Sequence, residues 1–218
     1  MRCIVFAMSK FASKSAERSV ISFTLLYLLV ASLFSWRLQN WEFIIYICVV
    51  LIIGLSVMNI HNKVRFSTGI LWCLSAWGLL HMLGGLMPIP QSWPHNGEHA
   101  VLYSLWLIPD YIKYDHIVHG FGFGVCTWAC WQALRPIVSG TQEYLTEIVL
   151  AVLASNGLGA ANEIIEFFAT LALPSTNVGG YINTGWDLVF NLIGSLIAAV
   201  IIWFGRPIPV PPVLRGKL

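Results

Sequence analysis

Seven ionisable side chains of this sequence lie in or beside long apolar segments, where a charged group is costly. They are His81, Asp115, His116, His119, Glu163, Glu166 and Asp187. Ionisable residues within apolar segments that span a membrane mark functional sites by default. Imidazole and carboxylate groups are the ligands that Zn²⁺ and other divalent cations accept, and they also serve as general acids and bases. The residue types therefore predict a site that binds a metal ion or moves a proton.

The spacing of these residues indicates that they share helix faces. Residues three or four positions apart lie on the same face of an α-helix. Such pairs are Asp115–His119, His116–His119, Asn162–Glu166, Glu163–Glu166 and Asp187–Asn191. Each helix that carries such a pair can direct two polar groups towards one point.

Composition identifies the class of protein that must position these groups. Of the 218 residues, 57% are hydrophobic and 10% are charged, and the mean hydropathy is +0.75. Soluble domains carry about 25% charged residues. The sequence is therefore typical of a polytopic membrane protein. The net charge of +2 and the lack of a dense basic run give no indication of nucleic-acid binding.

Continuous apolar runs predict an all-α fold, a bundle of six transmembrane helices. The predicted spans are 20–36, 41–60, 67–87, 116–134, 145–172 and 186–204. Only helices and closed barrels satisfy the backbone in lipid, and barrel strands would alternate polar and apolar residues. The fifth span exceeds the roughly 20 residues that a crossing needs, so we expect it to be tilted or broken near Asn156–Gly159. A transmembrane domain of 20–204 is thus expected between an N-terminal segment, 1–19, and a Pro-rich basic tail, 205–218.

Basic residues predict the orientation of the bundle. Placing the N-terminus in the cytoplasm puts ten of the twelve Lys and Arg residues on that side, and leaves Arg37 and Lys113 on the other. This is the asymmetry of the positive-inside rule, so both termini are expected in the cytoplasm. Either possible chain start, Met1 or Met8, lies in the N-terminal segment 1–19. In this orientation the ionisable residues of four spans all lie near the outer interface.

Other residues have simpler interpretations. Glycines in Phe121–Gly124, together with Gly194, predict close packing of spans four and six rather than a phosphate loop. Cysteines within the spans are interpreted as small apolar residues. The pair His95 and His99, with Glu98 beside them, has ligand-like spacing, but Pro94 and Gly97 favour a solvated turn.

Four segments in this order resemble the YjdF-like family of bacterial inner-membrane proteins and, more distantly, the VanZ-like proteins linked to glycopeptide resistance. The segments are His81–Gly85, Tyr114–Phe121, Asn162–Phe167 and Trp186–Gly194. The similarity covers about residues 20–205 and implies a multi-pass protein of the bacterial inner membrane, with a core rich in acids and histidines. His116 and the loop 94–99 depart from the family pattern. The resemblance implies no particular reaction.

The first functional hypothesis is a metal-assisted hydrolase or transferase acting on a lipid-linked or envelope substrate. The metal ligands are expected to be His81, His119 and Glu163, with Glu166, Asp187 and Asp115 as catalytic carboxylates, and with Asn191 and an interfacial His116 in support. A divalent cation would offset the cost of grouping carboxylates and could activate water.

Three alternatives stay open. The same groups could bind or relay an ion, although the predicted inner half of the membrane holds few ionisable residues. The protein could be a non-enzymatic envelope or antibiotic-resistance accessory that binds a hydrophobic ligand. Finally, the polar groups could form a buried network that only ties the helices together, at about 0.6 kcal/mol per interhelical bond.

Overall fold

The computed structural model describes residues 12–96, 99–138, 144–173, 176 and 180–205. Six α-helices account for most of them. The helices are α1 (Lys14–Arg37), α2 (Trp41–Val64), α3 (Thr68–Leu86), α4 (Tyr114–Val138), α5 (Tyr144–Ala172) and α6 (Tyr181–Phe204). The alternative start at Met8 and almost all of the predicted tail, 205–218, lie outside the described residues.

Short connections make the first three helices antiparallel neighbours. Ser13 caps α1 by accepting a hydrogen bond from the Ala16 amide, and Asn40 caps α2 by accepting one from the Phe43 amide. The tight turns between these helices place Gln39 and Arg65 in the left-handed region, with φ of 54° and 61°. Three residues separate α1 from α2, and three separate α2 from α3, so each helix must fold back on the one before it.

The connection between α3 and α4 folds over one end of the bundle, which we call the hairpin end. It contains a 3₁₀ turn (Leu102–Ser104) and an antiparallel pair of strands, β1 (Trp106–Ile108) and β2 (Ile112–Lys113). His95 lies in this connection in an isolated bridge to Leu105, and its Nδ1 contacts the Trp93 carbonyl at 2.9 Å. The described residues beside His95 and His99 are not helical, while Gly97 and Glu98, at the centre of the predicted turn, lie outside the described residues.

Helix α4 is the innermost helix and packs against α3, α5 and α6. Its approach to α6 depends on glycine: a Cβ on Gly194 would overlap the carbonyl group of Gly120, and one on Gly124 would lie 3.1 Å from the Gly194 oxygen. The Ser155 hydroxyl on α5 donates to the Phe123 carbonyl on α4 at 2.9 Å. The close packing predicted for spans four and six is confirmed.

Five of the six described helices are long and apolar enough to cross a membrane, namely α1, α2, α3, α5 and α6. Helix α4 does not meet that standard. The reason is its central place, because a helix covered by its neighbours needs less apolar surface than one facing lipid. The break expected near Asn156–Gly159 is wrong, since α5 is continuous from Tyr144 to Ala172. Its interior Asn156 satisfies its amide locally, donating to the Val152 carbonyl at 2.8 Å.

Candidate functional site

His119 lies at the centre of the polar residues at the hairpin end. Its side chain is only 6% exposed, and its Nδ1 lies 3.0 Å from Oδ1 of Asn191 on α6. Because an amide oxygen can only accept, Nδ1 carries the hydrogen of this bond, and in the neutral ring Nε2 has the lone pair. That Nε2 lies 3.6 Å from Oδ1 of Asp115, one turn earlier on α4, while Nδ1 lies 3.7 Å from Oε1 of Glu163 on α5.

Two groups of ligand-type residues share this imidazole. One consists of Asp115, His119 and Asp187, the other of His119, Glu163 and Glu166, and within each group the ligand atoms lie within 4.8 Å of one another. Three helices thus deliver their ionisable side chains to one place. The convergence expected from common depth and i,i+4 spacing is found within each of these two groups, which meet at His119.

Two carboxylate oxygens in the cluster have no hydrogen-bond partner among the described residues. They are Oδ1 of Asp187, whose side chain is fully buried, and Oε2 of Glu163, which is 7% exposed. A buried acceptor without a partner costs about 1–3 kcal/mol, and more when it is charged. Such oxygens indicate that the cluster is built to receive a donor or a cation.

Asn183 and Lys113 also belong to this cluster, although the sequence does not predict their place in it. Asn183 Nδ2 donates to Asp187 Oδ2 at 2.6 Å and lies 3.4 Å from Asp115 Oδ2, so it links α6 to α4. The buried Lys113 ammonium donates to Oδ1 of Asn183 and lies 3.8 Å from Asp115 Oδ2. The i,i+4 spacing of Asn183 and Asp187 is the available signal, but Asn183 lies outside the predicted span.

Glu166 occupies the edge of the cluster that faces α2 and α3. Asn162 Nδ2, one turn earlier on α5, donates to Glu166 Oε1 at 2.8 Å and contacts Glu163 Oε1 at 3.5 Å. This amide therefore holds the two glutamates of α5 side by side. The predicted Asn162–Glu166 pair is confirmed as a contact.

His81 is placed apart from this centre and belongs to neither group of ligand-type residues around His119. The Tyr103 hydroxyl, in the loop over the hairpin end, hydrogen-bonds His81 Nδ1. Burial raises the pKa of the Tyr103 phenol well above its ordinary value, so this hydroxyl stays protonated. The contact occupies one ring nitrogen of His81, and the structure does not bring His81 together with the other expected metal ligands. A Cβ on Gly84 would overlap the Tyr103 ring, so a glycine is needed for this contact.

His116 also differs from expectation. The sequence predicts it at the membrane interface, but it is 1% exposed and stacks on Phe190 with ring centroids 4.7 Å apart. The Lys113 amide donates to its Nδ1 at 3.2 Å. His116 thus fastens the first turn of α4 to the end of β2 and to α6. It lies next to the cluster, but its ring faces Phe190 and Trp186 on α6.

The donor set fits a small divalent cation. His119 Nε2, Asp115 and Asp187 would provide one nitrogen and two carboxylate ligands, and leave a position for water, as in open zinc sites. Asn191 fixes the imidazole tautomer, and Asn183 orients both aspartates, which are the outer-shell contacts that such ligands require. The residues therefore suit a metal of the zinc or manganese type.

The comparison with protein families agrees with the membrane character of the chain. A family model described as "Predicted membrane protein (DUF2238)" matches residues 17–206, so the chain belongs to this family of membrane proteins. No curated protein and no solved structure matches it. It is an integral membrane protein with several apolar helices, and its activity must be argued from the site.

Proposed function

We propose that this protein is a metal-dependent membrane enzyme that hydrolyses or transfers a group on a lipid-linked substrate. The observation that carries the proposal is the set formed by His119, Asp115 and Asp187, each of which offers a ligand atom within 4.8 Å of the others. Nε2 of His119 lies 3.6 Å from Asp115 Oδ1. The unpartnered Oδ1 of the fully buried Asp187 is the most direct sign that this set receives a cation.

The charge of the cluster supports a cation. Four carboxylates surround His119. Among the described residues, the basic side chain that forms an ion pair with this group is Lys113, which pairs with Asp115. Two charged carboxylates within 4.8 Å of each other repel by at least about 3 kcal/mol at an effective dielectric constant of 20. A divalent cation turns this repulsion into attraction, whereas an ordinary helix-linking network would gain little from four acids.

The residues then divide into two roles. A bound metal ion would supply Lewis acidity and lower the pKa of a ligated water. Glu163 and Glu166, the carboxylates of the second group around His119, would accept the proton of that water and return it to a leaving group. Asn162 holds Glu166 by the 2.8 Å bond and leaves its second oxygen for this task. Asp115 and Asp187, expected from the sequence to be catalytic, are thus proposed as metal ligands. Glu163, expected to be a metal ligand, is proposed as a catalytic carboxylate.

The test of this proposal compares two histidines of the same end of the bundle. We expect purified His119→Gln to lose bound zinc or manganese, because the only imidazole in the proposed ligand set is gone. His81→Gln is the control, and it should keep the metal stoichiometry of the wild type, since a Gln oxygen can still accept from Tyr103. Elemental analysis after dialysis gives the measurement. Equal metal content in both variants would contradict the proposal, and absence of metal from all proteins would favour a non-enzymatic ligand-binding protein.

We also infer a six-span protein of the bacterial inner membrane with both termini in the cytoplasm. The basic asymmetry supports this orientation, and the resemblance to YjdF-like and VanZ-like proteins supports the compartment; both stay predictions. Residues of the loop 88–113 should then react with a membrane-impermeant thiol reagent when replaced by cysteine in whole cells, for example Ser92→Cys. A Cys at Lys63 is the cytoplasmic control. Labelling of Lys63→Cys but not of Ser92→Cys would reverse the topology and place the site at the cytoplasmic face.

A further inference from the structure

An apolar groove runs along the bundle from its interior to the candidate site. It has a volume of about 410 Å³ and is formed by α1, α2 and α3, with the end of α5 closing it. At the hairpin end its lining includes Tyr46, His81, Asn162 and Glu166, so the groove ends on the same glutamate that borders the His119 cluster.

The length and lining of the groove indicate the shape of what it holds. On α2 the lining extends from Tyr46 to Met58, which at 1.5 Å per residue is about 18 Å along the helix axis. The wall is aliphatic over most of that length. The hydroxyls of Thr24 and Ser75 lie 2.7 Å apart and satisfy each other across α1 and α3. The other polar lining, which includes the Tyr46 hydroxyl, unpartnered among the described residues, lies at the hairpin end. A long space with its polar groups at one end suits a hydrocarbon chain.

The loop over the hairpin end closes the site from the aqueous side. Tyr103 packs onto Gly84 and contacts His81, and Lys113 is only 6% exposed. Helix α2, in contrast, leaves Gly54 at the groove with nothing within 4 Å of its Cβ position. The groove is therefore unobstructed beside Gly54, whereas Tyr103 and Lys113 cover the hairpin end.

We propose that the groove binds one hydrocarbon chain of a membrane lipid and brings the polar headgroup of that lipid to Glu166 and His81. This inference rests on the proposed function only for what happens to the headgroup, because binding of the chain needs no metal. The polar end offers donors as well as acceptors: the Asn162 amide, the His81 ring and the Glu166 carboxyl group. An ester, amide or hydroxyl beside the headgroup is the kind of group that these side chains can bind.

The experiment uses two glycines that differ only in their place. Gly54 lines the groove, while Gly157 on α5 does not, and at both positions an added Cβ would meet nothing within 4 Å. The full chain is reconstituted in phosphatidylethanolamine–phosphatidylglycerol vesicles that contain a phospholipid with a diazirine in one acyl chain. We expect photolabelling of the wild type to be saturable and several-fold stronger on groove residues than on the lipid-facing residues of α6. Gly54→Trp should lower groove labelling at least fivefold, and Gly157→Trp should leave it unchanged.

Three outcomes would overturn the inference. They are uniform labelling of all lipid-facing helices, equal labelling of Gly54→Trp and Gly157→Trp, and a groove occupied by a second copy, seen as a cross-linked dimer. If Gly54→Trp fails to fold, the distribution of label on the wild type decides alone. Metal content is measured on the same samples. Groove labelling without bound metal would support the lipid groove and contradict the proposed enzyme. Bound metal without groove labelling would support the proposed enzyme and contradict the lipid groove.

Discussion

Replacing Asp187 by Asn is expected to remove metal binding while leaving the metal-free protein at least as stable as the wild type. Asp187 is fully buried, its Oδ2 accepts from Asn183 and its Oδ1 has no partner among the described residues. An Asn side chain keeps the acceptor and removes the uncompensated carboxylate, which is costly in a buried place. The loss of one ligand from a set of three should weaken metal binding by more than the 10–100-fold typical of an outer-shell change.

Thermal unfolding in detergent, with and without added zinc, measures both effects. At a metal concentration 100 times its dissociation constant, binding stabilises the folded wild type by about 2.7 kcal/mol. The variant should show no such increase. Glu147→Gln is the matched control, because Glu147 is a buried carboxylate on α5 that pairs with Arg135 at 3.8 Å, far from the cluster in sequence. An Asp187→Asn protein that still gains stability from zinc would contradict the ligand assignment.

Replacing Gly194 by Ala is expected to destabilise the bundle and to disturb the site through packing alone. The new methyl group would overlap the Gly120 carbonyl, so α4 and α6 must move apart. Overpacking of this kind typically costs about 1–3 kcal/mol. Since Asn191 and Asp187 on α6 meet His119 on α4, the same separation should weaken metal binding even though no ligand is changed.

Gly185→Ala, on the same helix, is the control for this prediction. A Cβ on Gly185 meets nothing within 4 Å, so alanine there should be neutral or slightly stabilising. The two variants are compared by their unfolding midpoints in detergent and by metal content. Equal midpoints would show that the α4–α6 contact does not depend on glycine.

The helices could be predicted from their continuous apolar runs, and the convergent cluster from i,i+4 spacing and common depth. Asp115 and His119 share a face by spacing alone, and the common depth of α4, α5 and α6 brings that face to Glu163 and Asp187. Contacts that depend on the loop over the hairpin end were not predictable in this way. Tyr103 engages His81 because the chain folds back across Gly84, and nothing in the spacing of residues 88–113 indicates that path.

The burial of polar residues near helix starts could not be predicted either. Lys113 is predicted only to lie on the side opposite the N-terminus, and it is buried because Asn183 and Asp115 receive its ammonium group. His116 looks like an interfacial side chain, yet the stacking on Phe190 places it inside. Both positions depend on where α6 begins, and α6 begins at Tyr181, five residues earlier than its apolar run predicts.

The most direct measurement is X-ray absorption spectroscopy at the zinc edge of the wild-type protein after dialysis and reloading with one equivalent of zinc. The account predicts a first shell of one imidazole nitrogen and two or three oxygens at about 2.0–2.2 Å, with no sulfur. The imidazole scattering should disappear in His119→Gln and persist in His81→Gln. Sulfur at about 2.3 Å would instead place the metal at Cys126 and Cys130, one turn apart on α4, and would contradict the site at His119.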